Sequence, residues 1–345
     1  MKHTNYDKAD YRAIRNSAIP AAVMQTSGAR FDSAEDVSAF FARELDYVKA
    51  KSYDKLYPQF TALNLFPIST EADPGAETVT YYTYDREGFA KIIDNYSDDL
   101  PRADVNGKPN IAQVKSLGAS YGYSAQEIRA SRMAGKNLDA RKAESARYQI
   151  DNLNNKIAWC GDAASGLLGV LSDGQNVPTY SITAGATSGQ TKWTKKTADE
   201  ILADINGMAA QVSRVTKDVE RPDTLCVPND VFMDISTRQL PNTAVTVKKF
   251  ILDNAPYLKD IVSTPELNPD SIETNPNASA TPGSGSGVAF LFTNSIEKMS
   301  LENPMPFMQY PVQPHNLETV VPCEARTAGV IFYYPLSALI AVGVS

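Results

Sequence analysis

The stretch NNKIAWCGDAASGLLGVLS, residues 154–172, holds the end of one element and the start of the next. Before it, residues 139–159 carry apolar side chains three and four positions apart, which is the spacing of one face of a helix. Gly161 is predicted to end this helix, because glycine adopts the left-handed backbone conformation without strain. The apolar stripe consists of Ala143, Ala146, Ile150, Leu153 and Ile157. A helix this long with so narrow a stripe is expected to lie across a sheet.

Cys160 directly precedes Gly161, where a reactive thiol is one hypothesis. The C-terminal end of a helix carries partial negative charge, which disfavours the thiolate that a nucleophile needs. Gly166 and Gly169 belong to neither a G-x-G-x-x-G nor a G-x-x-x-x-G-K-[ST] motif, so they indicate close backbone packing. We therefore interpret residues 154–172 as a structural joint.

The composition predicts a folded, soluble protein with a sizeable core, since the 345 residues are 43% hydrophobic and 21% charged. The formal net charge of −7 repels phosphate and disfavours tight wrapping of nucleic acid. Three widely spaced cysteines suggest neither a disulfide nor a zinc site and are typical of a reducing cytoplasm. The N-terminus lacks the apolar core of a signal peptide. The apolar C-terminal run is broken by Pro335 and is shorter than the ~20 residues of a membrane span, so a buried strand pair is predicted there.

Upstream of the joint, the sequence predicts a long projection. ETVTYYTY (77–84) and IAQVKSLGASYGY (111–123) have strand-like composition. The segment between them is polar and contains the turn dipeptide Asn106-Gly107. Two strands joined by a long charged excursion predict an extended hairpin. Because such a hairpin buries little of itself, it either flexes or lies on another molecule.

The rest of the chain alternates between helix and strand patterns. Ser124 with Glu127, and Thr197 with Glu200, are capping boxes that predict helix starts. Further helices are predicted from about Asp32, Pro228 and Thr246, and strands at 223–228, 260–264, 287–294, 295–302 and in two late apolar runs. The strands at 287–294 and 295–302 are predicted to pair. The fold class is predicted as α+β with two sub-domains and one projection, and the loop at 266–287 as a mobile surface loop.

A search for catalytic chemistry finds little. His3 and His315 have no metal-ligating partner at helical spacing, and no cofactor motif occurs. A thiol-dependent hydrolase using Cys160 or Cys226 with His315 stays as a distant alternative. The carboxylates Asp94, Asp98, Asp99 and Asp104 are interpreted as a solvated or intersubunit charged face. We predict no enzyme activity, no cofactor and no metal.

Two other patterns have weaker functional interpretations. Lys192, Lys195 and Lys196 flank Trp193, an arrangement that could contact nucleic acid by charge and stacking. Three lysines in an acidic chain are a weak signal for this function. Tyr81, Tyr82 and Tyr84 are interpreted as faces of a sheet rather than as a platform for bases.

The order of these parts resembles the major capsid proteins of tailed bacteriophages, which have the Hong Kong 97 fold that encapsulins share. The segments that carry the resemblance are, in order, LYPQFTALNLFPI (56–68), TVTYYTYDREGFAKIIDN (78–95), YGYSAQEIRAS (121–131), the joint at 154–172 and ARTAGVIFYYPLSALIAV (325–342). The likeness lies in order and spacing over most of the chain after residue 33. It includes no catalytic signature.

The resemblance implies a division of the chain into six parts. They are an N-terminal arm (1–32), a first part of the peripheral domain (33–77), an extended loop hairpin (78–123), a spine helix with the second part of the peripheral domain (124–189), an axial domain (190–320) and C-terminal strands returning to the peripheral domain (321–345). Within the extended loop, the residues predicted to form intersubunit salt bridges are Arg86, Asp98, Asp99, Arg102 and Lys108. Deletion of residues 96–108 is expected to leave a folded subunit and to abolish stable shells.

The resemblance also implies a function and partners. The chain would assemble with itself into pentamers and hexamers of an icosahedral phage head that encloses double-stranded DNA. It would be made in the host cytoplasm and reside in the virion. Some relatives carry a long N-terminal scaffolding segment, and the short arm here implies a separate scaffolding protein, beside a portal and a possible decoration protein. The acidic charge predicts weak, non-specific contact with DNA and no membrane contact. An encapsulin-like nanocompartment shell is the alternative.

Overall fold

The computed structural model describes residues 59–92, 100–134, 139–241, 243–269, 271 and 287–345. The predicted arm and first helix, most of the loop at 266–287, and the residues Asp94, Asp98 and Asp99 lie outside these ranges. The helices that the structure describes are α1 (Ala62–Leu65), α2 (Ala125–Ala134), α3 (Asp139–Cys160), α4 (Ala198–Thr216), α5 (Asn229–Thr237) and α6 (Val247–Asn254).

The strands in the same ranges are β1 (Ile68–Ser69), β2 (Thr78–Glu87), β3 (Asp104–Gln113), β4 (Lys115–Ser124), β5 (Thr179–Ser181), β6 (Thr224–Val227), β7 (Asp260–Ser263), β8 (Val288–Phe292), β9 (Met299–Glu302), β10 (Met305–Gln309), β11 (Gln313–His315), β12 (Glu318–Thr327), β13 (Gly329–Phe332) and β14 (Ala338–Val342). They form sheets of five, four, three and two strands. The predicted α+β class is confirmed.

The five-stranded sheet, in the order β5-β14-β8-β6-β7, has both faces covered. Side chains alternate along β8, so Ala289 and Leu291 pack on one face while Phe290 and Phe292 pack on the other. The continuous apolar sequence VAFLF follows from this two-sided burial, because neither face of the strand meets water.

Helices α4, α5 and α6 cover one face of this sheet. The residues predicted for the α4 stripe, Ile201, Ile205, Met208 and Val212, are all buried in that core. The predicted capping box at the start of α4 is also present, with its two reciprocal hydrogen bonds between Thr197 and Glu200. Local sequence signals therefore set both the position and the orientation of this helix.

Helix α3 connects two cores. Its side chains Ala146, Ile150 and Ile157 pack on the sheet formed by β4, β10, β11 and β12. At its C-terminal end, Trp159 packs in the aromatic core on the other face of the five-stranded sheet, 4.9 Å from the Phe66 ring. Residues 139–160 are helical and lie against a sheet, as the sequence predicts.

One residue of the predicted α3 stripe is misplaced. Leu153 is exposed, whereas Asn154 and Asn155 beside it are buried. Asn155 accepts a hydrogen bond from the Ala62 amide and donates one to Glu266. These polar contacts of Asn155 help to orient α3, and a pattern of apolar residues could not predict them.

The joint after α3 depends on glycine. Gly161 has φ +70°, and a Cβ there would lie 2.5 Å from the Leu167 carbonyl oxygen. A Cβ on Gly169 would lie 2.3 Å from the Gly161 nitrogen. Both distances are shorter than any real contact, so the predicted close backbone packing is confirmed.

Strand pairing differs from the predictions at several points. The strand predicted at 111–123 is two strands, because β3 pairs with β2 while β4 pairs with β12. β8 and β9 are not partners: β8 lies between β14 and β6, and β9 lies between β1 and β13. The late runs β13 and β14 likewise pair with other strands and not with each other. β4, β8 and β14 each pair with at least one strand that lies far away in the sequence.

Two of these pairings join strands from different parts of the predicted division of the chain, and the division itself stays a prediction. β14 belongs to the five-stranded sheet and not with the strands beside the spine helix. Conversely β10 and β11, which the prediction assigned to the axial domain, pair with β12 in the sheet under α3.

Candidate functional site

The hairpin (β2, β3 and their connection, residues 78–113) is the candidate functional site. Its ten paired positions run from Thr78 opposite Gln113 to Glu87 opposite Asp104. Among the described strands, β2 and β3 pair with no third strand. A two-stranded hairpin is marginally stable alone, so its conformation depends on what its faces contact.

The two faces of the hairpin differ in chemistry. Even-numbered positions of β2 and the residues opposite them form the outer face, which includes Tyr82 and Tyr84 with their rings 6.4 Å apart and nearly parallel. The remaining positions form the inner face. There, the Asn110 amide donates a hydrogen bond to the Thr83 hydroxyl at 3.1 Å.

The root of the inner face is attached to the rest of the subunit through Tyr81. Its ring meets Tyr333 edge-to-face at 5.1 Å, and its hydroxyl donates to the Phe332 carbonyl at 3.4 Å. Burial raises the pKa of Tyr81. The Val114 amide donates to the Glu77 carbonyl at 2.9 Å and closes the base of the hairpin.

A buried polar cluster supports Tyr333. The Tyr333 hydroxyl donates to the Glu302 carboxylate at 3.0 Å, and the Ser300 hydroxyl donates to the same oxygen at 2.8 Å. Burial, together with the nearby carboxylates of Glu302 and Glu71, raises the pKa of Tyr333 to about 12. Tyr333 therefore stays a neutral hydrogen-bond donor and a fixed support for Tyr81.

The predicted contact residues that the structure describes do not share one face of the hairpin. Arg86 lies on the outer face opposite Val105, and Lys108 lies on the inner face opposite Thr83. Arg102 is exposed in the connection between the strands. None of these three cations forms an ion pair with a residue that the structure describes. Their role between subunits stays a prediction.

The residues of the thiol alternative lie apart in the fold. Cys226 is buried in the five-stranded sheet, and burial raises its pKa well above the usual value. Cys160 is buried at the end of α3, and His315 is exposed in a different sheet. Burial of the Cys226 thiol disfavours the thiolate that a nucleophile needs.

The lysines around Trp193 do not form a nucleic-acid platform. Trp193 is buried, and its indole nitrogen donates to Asp204 at 2.9 Å. Lys196 is also buried and forms an ion pair with the same carboxylate at 2.6 Å. This cluster fixes the loop before α4, so the nucleic-acid interpretation is wrong for these two residues.

Within the described ranges, no group of three side chains is arranged to hold a metal ion, and none of the helices has the length and apolarity to cross a bilayer. The hairpin presents aromatic and aliphatic side chains, backbone edges and three cations that form no ion pair with a described residue.

Residues 88–344 match the sequence profile of the family described as Major capsid protein. The chain belongs to the major capsid protein family. Its function is therefore structural, as a component of the capsid shell of a virion. The assignment favours this function over the encapsulin-like alternative. Comparison with curated protein sequences gave no match.

Solved structures with similar folds are also capsid proteins. The capsid of Myoviridae phage XM1 has a TM-score of 0.74 at 16% identity, covering 90% of this chain and 100% of that chain. The capsid of an empty GTA particle has a TM-score of 0.56 at 8% identity, covering 92% of this chain and 100% of that chain. The mature capsid of bacteriophage PhiM1 has a TM-score of 0.54 at 12% identity, covering 86% of this chain and 91% of that chain. These similarities confirm the predicted Hong Kong 97-like fold.

Sequence reasoning missed two features of this capsid protein. The alternation of TVTYYTY places Tyr81 and Tyr82 on opposite faces, a signal that was available from period-two patterning. The support of Tyr81 by Tyr333 and Glu302 was not predictable, because these residues are more than two hundred positions away in the chain.

Proposed function

We propose that copies of this chain assemble into pentamers and hexamers of an icosahedral head around double-stranded DNA, with the hairpin of each copy lying on its neighbour. The observation that carries this proposal is the hairpin itself. It projects two paired strands that find no third strand among the described residues, and Tyr81 attaches it at the root. A neighbouring subunit would supply the missing cover.

The contact joins unlike surfaces, since a hairpin on one subunit meets the body of the next. Repeated around a closed rotation, such heterologous contacts form rings, and rings can tile a shell. Arg86, Arg102 and Lys108, with Asp98 and Asp99, are proposed as intersubunit salt-bridge residues. Exposed ion pairs contribute about 0–1 kcal/mol each, so they would orient the contact more than hold it.

The proposed organisation keeps the predicted parts with two changes that follow strand pairing. The extended loop is residues 78–113, and the axial domain is the unit built on the five-stranded sheet, including β14. The peripheral domain is built on α3 and the sheet beneath it. An N-terminal arm at 1–32 stays part of the proposal.

Further partners belong to the proposal as well. A separate scaffolding protein, a portal and a decoration protein would complete the head, and the chain would be made in the host cytoplasm. With a net charge of −7, the shell would contain DNA with weak, non-specific contact and without catalysis.

The test is a shortened hairpin. Glu87 and Asp104 are directly opposite, so replacing residues 88–103 with Asn-Gly joins the strands by a two-residue turn and keeps the register. We expect a subunit with unchanged secondary structure that forms no stable shells in electron micrographs. This replacement is cleaner than deleting 96–108, which would cut into β3.

The matched control is Leu153→Ala, a change to an exposed residue of α3 that keeps the hairpin intact and is expected to leave assembly normal. Shells of normal size and yield from the shortened variant would contradict the proposed role of the hairpin.

A further inference from the structure

The outer face of the hairpin exposes apolar side chains. Antiparallel strands usually place apolar side chains inward and polar ones toward solvent. Here the half-buried inner positions include the apolar residues Val79 and Tyr81 as expected, but the exposed outer positions include Tyr82, Tyr84 and Ile111. Apolar side chains exposed on a strand face indicate that the outer face is covered by something outside the subunit.

The apolar surface on the outer face is large for a two-stranded element. Exposed fractions are 61% for Tyr82, 71% for Tyr84, 57% for Val105 and 66% for Ile111. Since an aromatic side chain carries roughly 150–250 Å² of surface, these four residues together present on the order of 400 Å². That equals about half of the ~800 Å² that one partner contributes to a standard interface.

The charges on the two faces select the partner. The inner face carries Asp85, Glu87 and Asp104 with one lysine, Lys108, whereas the outer face carries one cation, Arg86, among its ten paired positions and no acid. A copy of this chain has a net charge of −7. The inner face would therefore repel a second copy, and the outer face would attract it.

We propose that the outer face, through Tyr82, Tyr84, Val105 and Ile111, is the surface that docks on a second copy of this chain, with Arg86 as its electrostatic guide. The inference rests on the proposed function and deepens it, because it assigns the contact to an apolar face where the sequence indicated salt bridges. The inner face stays solvent-exposed or rests on its own subunit, so this assignment removes Lys108 from the proposed intersubunit salt bridges.

Adjacent residues on β3 provide a matched pair for testing this assignment. Val105 and Asn106 are both exposed and lie on opposite faces. The native cysteines Cys160, Cys226 and Cys323 are buried, so Val105→Cys and Asn106→Cys each introduce one accessible thiol. The rate of thiol labelling is measured for each full-length variant as free subunits and as purified shells, from which any scaffolding protein has been removed.

In shells, we expect labelling at position 105 to slow roughly tenfold or more and labelling at position 106 to change less than about twofold, because the core of an interface excludes solvent. Equal protection of both positions, or none at 105, would overturn the assignment while leaving shell formation intact. Protection at 105 that occurs only in particles containing a second protein species would overturn the choice of partner. Failure of the unmodified chain to form any shell would instead overturn the proposed function, and this inference with it.

Discussion

In the joint at residues 154–172, Trp159 and Leu171 are buried and Gly161 is held against neighbouring backbone. In the hairpin, Tyr82 and Tyr84 have comparable apolar surface and lie in solvent. The joint completes its contacts inside one chain, whereas the hairpin leaves its outer face open. The same residue types therefore stabilise the subunit in one region and are available for assembly in the other.

The comparison separates two kinds of mutational effect. A change in the joint removes contacts that the folded subunit already has, so it should lower the free energy of unfolding. A change on the outer face of the hairpin removes contacts that exist in the shell, so it should spare the subunit. An outer-face variant that lowers the free energy of unfolding, or a joint variant that leaves it unchanged, would contradict this distinction.

The largest effect is expected from Trp159→Ala. The indole is fully buried beside Phe66 and Phe290, and its nitrogen donates to the Thr61 hydroxyl at 3.1 Å. Truncation of such a side chain costs about 3–5 kcal/mol of unfolding free energy, measured by urea denaturation of the free subunit. Leu153→Ala on the exposed side of the same helix should cost about 0.5 kcal/mol or less. Equal effects of the two variants would show that the joint is not a packed core.

A smaller, pH-dependent effect is expected at Glu200. Its carboxylate accepts hydrogen bonds from the amides of Ser188, Thr197 and Thr187, which lower its pKa from the ordinary 4.5 to about 2. Because the folded-state pKa is lowered, this stabilisation is present above about pH 4.5 and is lost as the pH falls toward 2.

Glu200→Gln should therefore be less stable than the parent at neutral pH, and the difference should shrink between pH 4.5 and 2. Urea midpoints across this range measure it. Asp199→Asn, one residue earlier, removes a carboxylate that accepts none of these hydrogen bonds and is the control for the loss of a negative charge at the start of α4. If the difference in stability between Glu200→Gln and the parent does not vary with pH, the lowered pKa of Glu200 is not its cause.

The smallest effect on subunit stability is expected from the double variant Tyr82→Ser/Tyr84→Ser. Both rings are exposed, so the unfolding free energy should change by less than about 0.5 kcal/mol. Assembly should fail, because the aromatic part of the outer face is gone. Asp85→Ser on the inner face is the control and should assemble. Loss of subunit stability in the double variant would place the tyrosines among the internal contacts and weaken the contrast with the joint.

The accuracy of the sequence predictions follows the distance between interacting residues. Helices α3 and α4 were predicted because periodicity, capping boxes and Gly161 act within a few positions. The partners of β8, β9 and β14 were not predicted, because these strands meet residues far away in the chain. Apolar strand composition identifies a strand and leaves its neighbours undetermined.

The candidate site was predicted only in outline, as a hairpin without the correct second strand or the chemistry of its faces. The hairpin was expected from its composition, although its second strand was placed too late in the sequence. Of the charged residues predicted for the contact, Arg86 lies on the outer face and Lys108 on the inner face, and the outer tyrosines were interpreted only as a sheet face. Which face is open depends on the attachment of Tyr81 to Tyr333, which is a tertiary contact.

Hydrogen–deuterium exchange of free subunits and intact shells tests the central claim most directly. The amides of β2 and β3 should exchange fast in free subunits, because an uncovered two-stranded hairpin opens locally, and slowly in shells, where a neighbour covers it. The amides of α3 should be protected in both states. A hairpin already as protected as α3 in the free subunit, with no further change on assembly, would contradict the account.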